Sequence, residues 1–121
     1  MKNFLSRLEV TQERIDRYGR ANGDREMLHY DPAHARSRGF RGPIAHGTML
    51  LAPLVDLAVR RYGERFLAGG TLAVRCTAPV CAGEIQLAMI DEAGAIQAVN
   101  GSLPGQPVTL RGTATCDGGP A

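Results

Sequence analysis

The sequence predicts a single α+β domain in which an antiparallel sheet wraps around one central helix. Three observations predict it. Residues 46–63 are apolar on most faces at helical spacing, which marks a helix buried nearly all round. After them come several segments of β-forming composition separated by turn residues, with no further long helix. A length of 121 residues suits one domain rather than two. A helix followed by consecutive strands belongs to the α+β layer architectures, although pattern alone does not set strand order.

Taken in order, Phe4–Val10 reads as the first strand. Thr11 is a good N-cap, with Gln12 and Glu13 in the first turn where negative charge is favoured. Ile15, Tyr18 and Ala21 then keep helical spacing to about Asn22, and Gly23 stops the helix. A polar loop covers residues 24–31. Pro32 suits the first turn of a short helix ending near Gly39, and residues 39–42 form another loop. The central helix begins at His46 and carries Met49, Leu50, Leu54, Leu57 and Ala58. Pro53 lacks an N–H and clashes with the preceding turn, so it predicts a kink or a delayed helix start. Strands are then expected at residues 71–80, with Leu72, Val74 and Cys76 on one side, at Glu84–Ile90, at residues 95–102 and at Val108–Cys116. Turns at Glu92-Ala93-Gly94 and at residues 103–107 separate the last three. Residues 117–121 read as a disordered tail.

Composition bounds the function classes. Only 5% of the chain is aromatic and Trp is absent, so the core must rest on aliphatic side chains, and a partner chain sharing it would help. A net charge of +2 is too small to argue for nucleic acid, and no aromatic residues interleave with the arginines as a base-stacking surface requires. Arg36, Arg38 and Arg41, and again Arg60, Arg61 and Arg65, read either as solvated helix ends or as capture points for a phosphate-bearing carrier. Cys76, Cys81 and Cys116 are odd in number and lack zinc-type spacing. Reduced thiols beside a strand, in a cytoplasmic protein, are the simplest account. The first five residues lack a signal peptide's apolar run. The longest apolar stretch, residues 49–59, is interrupted by Pro53 and Asp56 and is too short to span a bilayer. Neither membrane association, metal nor cofactor is expected.

Two stretches carry titratable residues in loops beside apolar elements. In Gly23-Asp24-Arg25-Glu26-Met27-Leu28-His29-Tyr30-Asp31-Pro32, a carboxylate and an imidazole share one loop. Such a pair can remove and deliver protons near neutral pH; alone, a loop Asp and His are more often a cap and a surface group. In Gly42-Pro43-Ile44-Ala45-His46-Gly47-Thr48, a glycine at the start of a buried helix leaves its N–H open to a developing oxyanion, or simply makes a tight turn.

Together these stretches resemble the MaoC-like (R)-specific enoyl-CoA hydratases. That family's signature runs Gly-Asp-x-Asn-Pro-x-His-x-Asp-Pro-x-x-Ala, an aromatic, then Pro-Ile-x-His-Gly. Gly23, Asp24, His29, Asp31, Pro32, Ala35, Phe40, Pro43, Ile44, His46 and Gly47 fall in register with it. The segment from Leu72 to Glu84 looks like the family's strand ending in Pro-Val-x-x-Gly-Asp/Glu, and Gly112-Thr113-Ala114 like its last strand.

The resemblance implies a hot-dog fold, with Asp24 and His29 as the acid/base pair and the N–H of Gly47 as oxyanion donor. It implies a hydro-lyase acting on an α,β-unsaturated or β-hydroxyacyl thioester of coenzyme A or an acyl carrier protein. His29 is assigned to the water and Asp24 to the α-proton. His46 is expected to orient the helix start by hydrogen bonding rather than to transfer protons, and His34 to lie at the surface. Hot-dog sheets pair edge to edge, so a homodimer or larger oligomer with the ligand site at its interface is implied.

Glu26-Met27 stands where the family has Asn-Pro, and Asn22 where it has Ser or Thr. Glu26 could raise the pKa of Asp24 by like-charge repulsion, contact an unusual substrate, or be exposed and inert. Short hairpins at residues 92–95 and 103–107 imply a trimmed sheet, which fits a specialised pathway dehydratase better than a fatty-acid β-oxidation enzyme. Two other readings stay open: a non-catalytic partner subunit of a heteromeric hydratase, and a hot-dog thioesterase using Asp56, the one acidic residue within the central helix.

Overall fold

The computed structural model describes residues 3–117. Strand β1 (Phe4–Val10) turns Phe4, Ser6, Leu8 and Val10 inward and its charged residues outward. Helix α1 (Gln12–Asn22) begins at Thr11, whose Oγ1 accepts the N–H of Arg14 at 3.1 Å. It ends at Gly23, left-handed with φ 76°, whose N–H reaches the carbonyl of Gly19. After a single 3-10 turn at Met27–His29, α2 (Pro32–Ser37) starts under Asp31, whose Oδ1 accepts the N–H groups of Ala33 and His34.

Pro53 delays the central helix. Residues Thr48–Leu51 form a 3-10 turn, and the α-helix α3 (Ala52–Tyr62) begins only where proline can sit in its first turn. A short α4 (Phe66–Gly69) follows, too brief for periodicity to reveal. Strands β2 (Gly70–Cys76), β3 (Glu84–Ile90), β4 (Ala95–Asn100) and β5 (Val108–Cys116) complete one antiparallel sheet in the order β1-β3-β4-β5-β2.

Two strands are shorter than their composition suggests. The strand expected at 71–80 stops at Cys76, because the N–H groups of Thr77 and Ala78 both turn to the carbonyl of Thr109 and Pro79 has no N–H to continue a ladder. The strand expected at 95–102 stops at Asn100, where residues 101–105 turn. Cys81 is buried, but Cys76 is exposed, and all three cysteines are free. Asp117, expected to open the disordered tail, forms a turn and donates its N–H to the carbonyl of Gly69 at 3.0 Å. The rest of that tail lies outside the described residues.

The helix α3 lies chiefly against β1 and β3. Its Leu54, Leu57 and Ala58 are fully buried against Ala88, Ile90, Ile96, Ala98, Leu110 and Ala114 of the sheet. Small residues on the inner face let a leucine-bearing helix approach closely, and each buried leucine contributes about 1.5–3 kcal/mol. A second cluster, Val10, Ile15, Ala45, Met49, Leu50 and Val80, ties α1 and the stretch before α3 to the end of β1. Among the described residues no helix is long and apolar enough to cross a membrane.

Candidate active site

The site forms where the loop after α1 meets the segment leading into α3. The left-handed Gly23 turns the chain so that Asp24 follows at once, its N–H held by Oδ1 of Asn22 at 2.9 Å. Asp24 Oδ1 accepts the N–H of Glu26 at 3.0 Å, and the Tyr30 hydroxyl donates to the Asp24 carbonyl. Tyr30 fits under α1 because residue 19 is glycine; a Cβ there would overlap the tyrosine hydroxyl. The 3-10 turn then swings His29 inward to 8% exposure.

Two backbone ladders bring the second segment alongside. Ile44 donates its N–H to the carbonyl of Leu28, and the Ile44 carbonyl accepts Nδ1–H of His29 at 2.8 Å. On the other side, Ala45 N–H reaches the Val80 carbonyl, and Ala82 N–H reaches that of Pro43. His46, 2% exposed, follows directly. Its Nε2 donates to the Ile15 carbonyl at 3.1 Å, and its Nδ1 lies 3.3 Å from Asp24 Oδ2. His29 Nε2 lies 3.3 Å from that same oxygen. The two imidazoles stack with centroids 3.9 Å apart and planes 25° from parallel.

The Asp24 carboxyl is held below the ordinary aspartate range, first by the Glu26 N–H, then by His46, against an opposing desolvation. Glu26 thus acts through its backbone, and its side chain is exposed. Burial, with the nearby carboxylates of Asp24 and Asp16, pushes the Tyr30 phenol up. Asp24 is about a third exposed and opens onto a cavity of about 610 Å³, bordered by Asp16, Gly19 and Arg20 of α1 and by Arg25 and Tyr30.

Gly47 precedes the 3-10 turn with φ −56° and ψ −44°, a conformation open to any residue. A Cβ there would meet only Cys76 Sγ, at an ordinary 3.9 Å. Neither backbone strain nor crowding therefore requires glycine. Among the described residues its N–H donates to no protein acceptor.

Asp24 Oδ2, His29 Nε2 and His46 Nδ1 lie within 4.8 Å of one another, close enough to bracket a cation. Each ring nitrogen also lies 3.3 Å from Asp24 Oδ2, so the carboxylate can serve as hydrogen-bond partner to both rings without an ion.

Other candidates fall elsewhere. His34 sits on α2, half-buried, outside this cluster. Asp56 is exposed on α3 and pairs with Arg60 at 2.9 Å. Arg41 grips Glu84 with two bonds of 2.7 and 2.8 Å, and Arg61 donates to the Glu92 carbonyl. The arginines beside the cavity are instead Arg20 and Arg25, which their isolated places in the sequence did not single out.

The Glu84 network is also a tertiary feature. Its carboxylate accepts from Arg41, from the N–H of Cys81 at 2.7 Å and from Asn100 Nδ2 at 3.0 Å. Burial pushes this carboxyl up, but those donors overcome it and bring it to about 2. The network clamps residues 80–82, on which the Pro43–Ala45 backbone hangs.

A sequence model described as the MaoC like domain matches residues 3–101. The 3-hydroxyacyl-thioester dehydratase Z of Mycobacterium tuberculosis (strain ATCC 25618 / H37Rv) is 40% identical over 53 residues, covering 44% of this chain and 35% of the relative. The chain therefore matches about a third of that curated relative's length. The fold superposes on the unliganded R-hydratase PhaJ1 of Pseudomonas aeruginosa with a TM-score of 0.72, at 18% identity, over 93% of this chain and 77% of the other. It also superposes on a chain of the ChsH1-ChsH2 complex of Mycobacterium tuberculosis with a TM-score of 0.69, at 12% identity, over 95% of both. The sheet around α3 is the hot-dog fold.

Proposed function

The chain belongs to the family defined by the MaoC-like domain, and from that premise we propose that it is a hydro-lyase acting on the α and β carbons of an acyl thioester. The acyl group would be carried by coenzyme A or an acyl carrier protein. One observation carries the reading: His29 Nε2 lies 3.3 Å from the carboxylate of Asp24, which borders the cavity, and the Ile44 carbonyl sets the His29 tautomer.

In the dehydration direction Asp24 takes the α-proton as the Cα–H bond breaks. The electron pair moves to form the Cα=Cβ double bond, and the Cβ–OH bond breaks as His29 Nε2–H protonates the departing hydroxyl to water. Hydration reverses each step. Charge that builds on the thioester oxygen in between is met by the Gly47 N–H at the start of the helical stretch, where the peptide dipoles also favour it. Among the described residues that N–H has no protein acceptor, which leaves it available to the thioester oxygen. Acid–base groups of this kind contribute about 10²–10⁴-fold each.

A thioesterase reading needs a carboxylate at the central helix, and Asp56 faces solvent with Arg60. A non-catalytic subunit is not favoured, since the acid/base pair is intact and its geometry complete. We infer further that the chain works as a homodimer or larger hot-dog assembly in the cytoplasm; three unpaired cysteines support a reducing compartment. The test is turnover of crotonyl-CoA and longer enoyl-CoAs, alongside Asp24→Asn and His29→Ala. Losses of about 10²-fold or more in both variants are expected. A wild-type protein inert on every thioester, or full activity in either variant, would overturn the assignment.

A further inference from the structure

His46 is a third titratable group at the site, unused by the cycle described above. A carbonyl oxygen only accepts, so His46 Nε2, facing Ile15 at 3.1 Å, carries a hydrogen in either charge state. The same argument fixes the hydrogen on His29 Nδ1, facing Ile44 at 2.8 Å. The remaining atoms are His29 Nε2 and His46 Nδ1, each 3.3 Å from Asp24 Oδ2. Oδ1 is already taken by the N–H of Glu26.

The number of protons in this cluster follows from its geometry. With both rings neutral and Asp24 ionised, three lone pairs converge with no hydrogen among them. With two added protons, either two cationic rings stack at 3.9 Å or Asp24 is protonated beside one cationic ring, against the Glu26 N–H that favours its ionised form. A single added proton avoids both conflicts. The other titratable or charged groups facing the cluster are accounted for. On α1, Asp16 accepts from Gln12, and the Tyr18 hydroxyl donates to Thr48 while its ring lies 5.0 Å from His46. On the loop, Tyr30 donates to the Asp24 carbonyl, the Glu26 side chain is exposed, and Arg25 joins Arg20 at the cavity. Behind the second segment, Arg41 is paired with Glu84, and Cys81 is a free thiol.

We propose that Asp24, His29 and His46 hold one proton in common, with His46 as the positioning residue whose Nδ1 accepts the proton of Asp24 Oδ2 whenever His29 is neutral. The consequence for turnover rests on the hydro-lyase reading. Before dehydration the proton is on His29 and Asp24 is ionised. Afterwards His29 has given its proton to the leaving hydroxyl, and Asp24 carries the one taken from the α-carbon. The count is one in both states. His46 anchors the second state until the proton returns over 3.3 Å to His29 and the site is reset.

The direct experiment is ¹⁵N NMR of the imidazoles in the wild-type protein from about pH 5 to 9, the range in which histidine titrates. His29 Nδ1 and His46 Nε2 should stay protonated throughout. His29 Nε2 and His46 Nδ1 should move together, as coupled sites sharing one proton do. Two independent, complete titrations would overturn the proposal. This readout needs no turnover, so it decides the proton count even if no thioester is a substrate.

Two variants read the effect on catalysis. His46→Gln keeps an amide donor near Ile15 and loses the contact with Asp24, whereas His46→Asn keeps a polar atom near Asp24 that cannot titrate. Both should lower kcat roughly tenfold with KM within about twofold, and both should change the shape of the pH–rate profile. Either variant with wild-type kcat and pH profile, and only a lower melting temperature, would make His46 a structural tie and refute the proposal.

Discussion

Replacing Glu84 with glutamine tests whether the buried clamp behind the site holds both the fold and the catalytic segment. The Glu84 carboxyl, 12% exposed, is brought from an ordinary 4.5 to about 2 by Arg41, Cys81 N–H and Asn100 acting against its burial. A depression of that size corresponds to about 3 kcal/mol in favour of the folded state. Arg41 is 44% exposed and partly screened, which makes this an upper figure. The sign follows from the depressed value. The contribution is complete above the unfolded pKa of 4.5 and drains away as pH falls towards 2, with about 2 kcal/mol of it gone at pH 3.

The assay is urea unfolding of wild type and Glu84→Gln at pH 7 and pH 3. The variant should be about 2–3 kcal/mol less stable at pH 7, and the gap should narrow to about 1 kcal/mol at pH 3. The difference between the two proteins isolates this group from other carboxylates that titrate in the same range. Because residues 80–82 carry Ala45 through the Val80 carbonyl, kcat should also fall, as the Gly47 N–H loses its fixed position. A gap below about 0.5 kcal/mol at pH 7, or one that does not change with pH, would refute the reasoning.

Three other changes have expected outcomes. Gly47→Ala, which retains the N–H, should leave urea stability within about 0.5 kcal/mol, since its φ of −56° suits alanine and the new Cβ meets only Cys76 Sγ; Gly47→Pro, which removes the N–H at a φ that also suits proline, should lower kcat on an enoyl thioester at least about tenfold, and unchanged kcat there would remove the oxyanion role. Gly19→Ala should cost about 1–3 kcal/mol by displacing Tyr30. Adding Tyr30→Phe should recover part of that in urea unfolding, but not all, because the ring carbon would still lie 2.9 Å from the new Cβ. Glu26→Ala should leave the acid limb of the pH–rate profile in place, because Asp24 takes the backbone N–H that alanine retains; a displacement of about half a pH unit would show that the side chain acts on Asp24.

Much of the fold was readable because its rules are local. Thr11 caps α1 with its own hydroxyl, and Gly23 ends the helix in the left-handed region that glycine adopts at no cost. Pro53 delays α3 through its missing N–H. Strands β1, β3 and β5 have the expected bounds because their alternation and their turn residues agree. The strand expected at 71–80 was overextended for the opposite reason. Its composition continues past Cys76, but a ladder needs a partner, and Thr109 takes both following N–H groups.

The chain order alone put Asp24 and His29 on one loop and Gly47 at the start of a buried helical stretch, since loop, cap and helix start are set within a few residues. Only the tertiary structure decided what those residues face. Asp24 and His46 are 22 positions apart, and Arg41 and Glu84 are 43 apart. No period or spacing marks such pairs, because packing α1 and the sheet around residues 43–46 creates them. Local rules set which groups the loop offers; burial in a shared core decided that two imidazoles and one carboxylate must divide the space, and on our proposal the proton, between them.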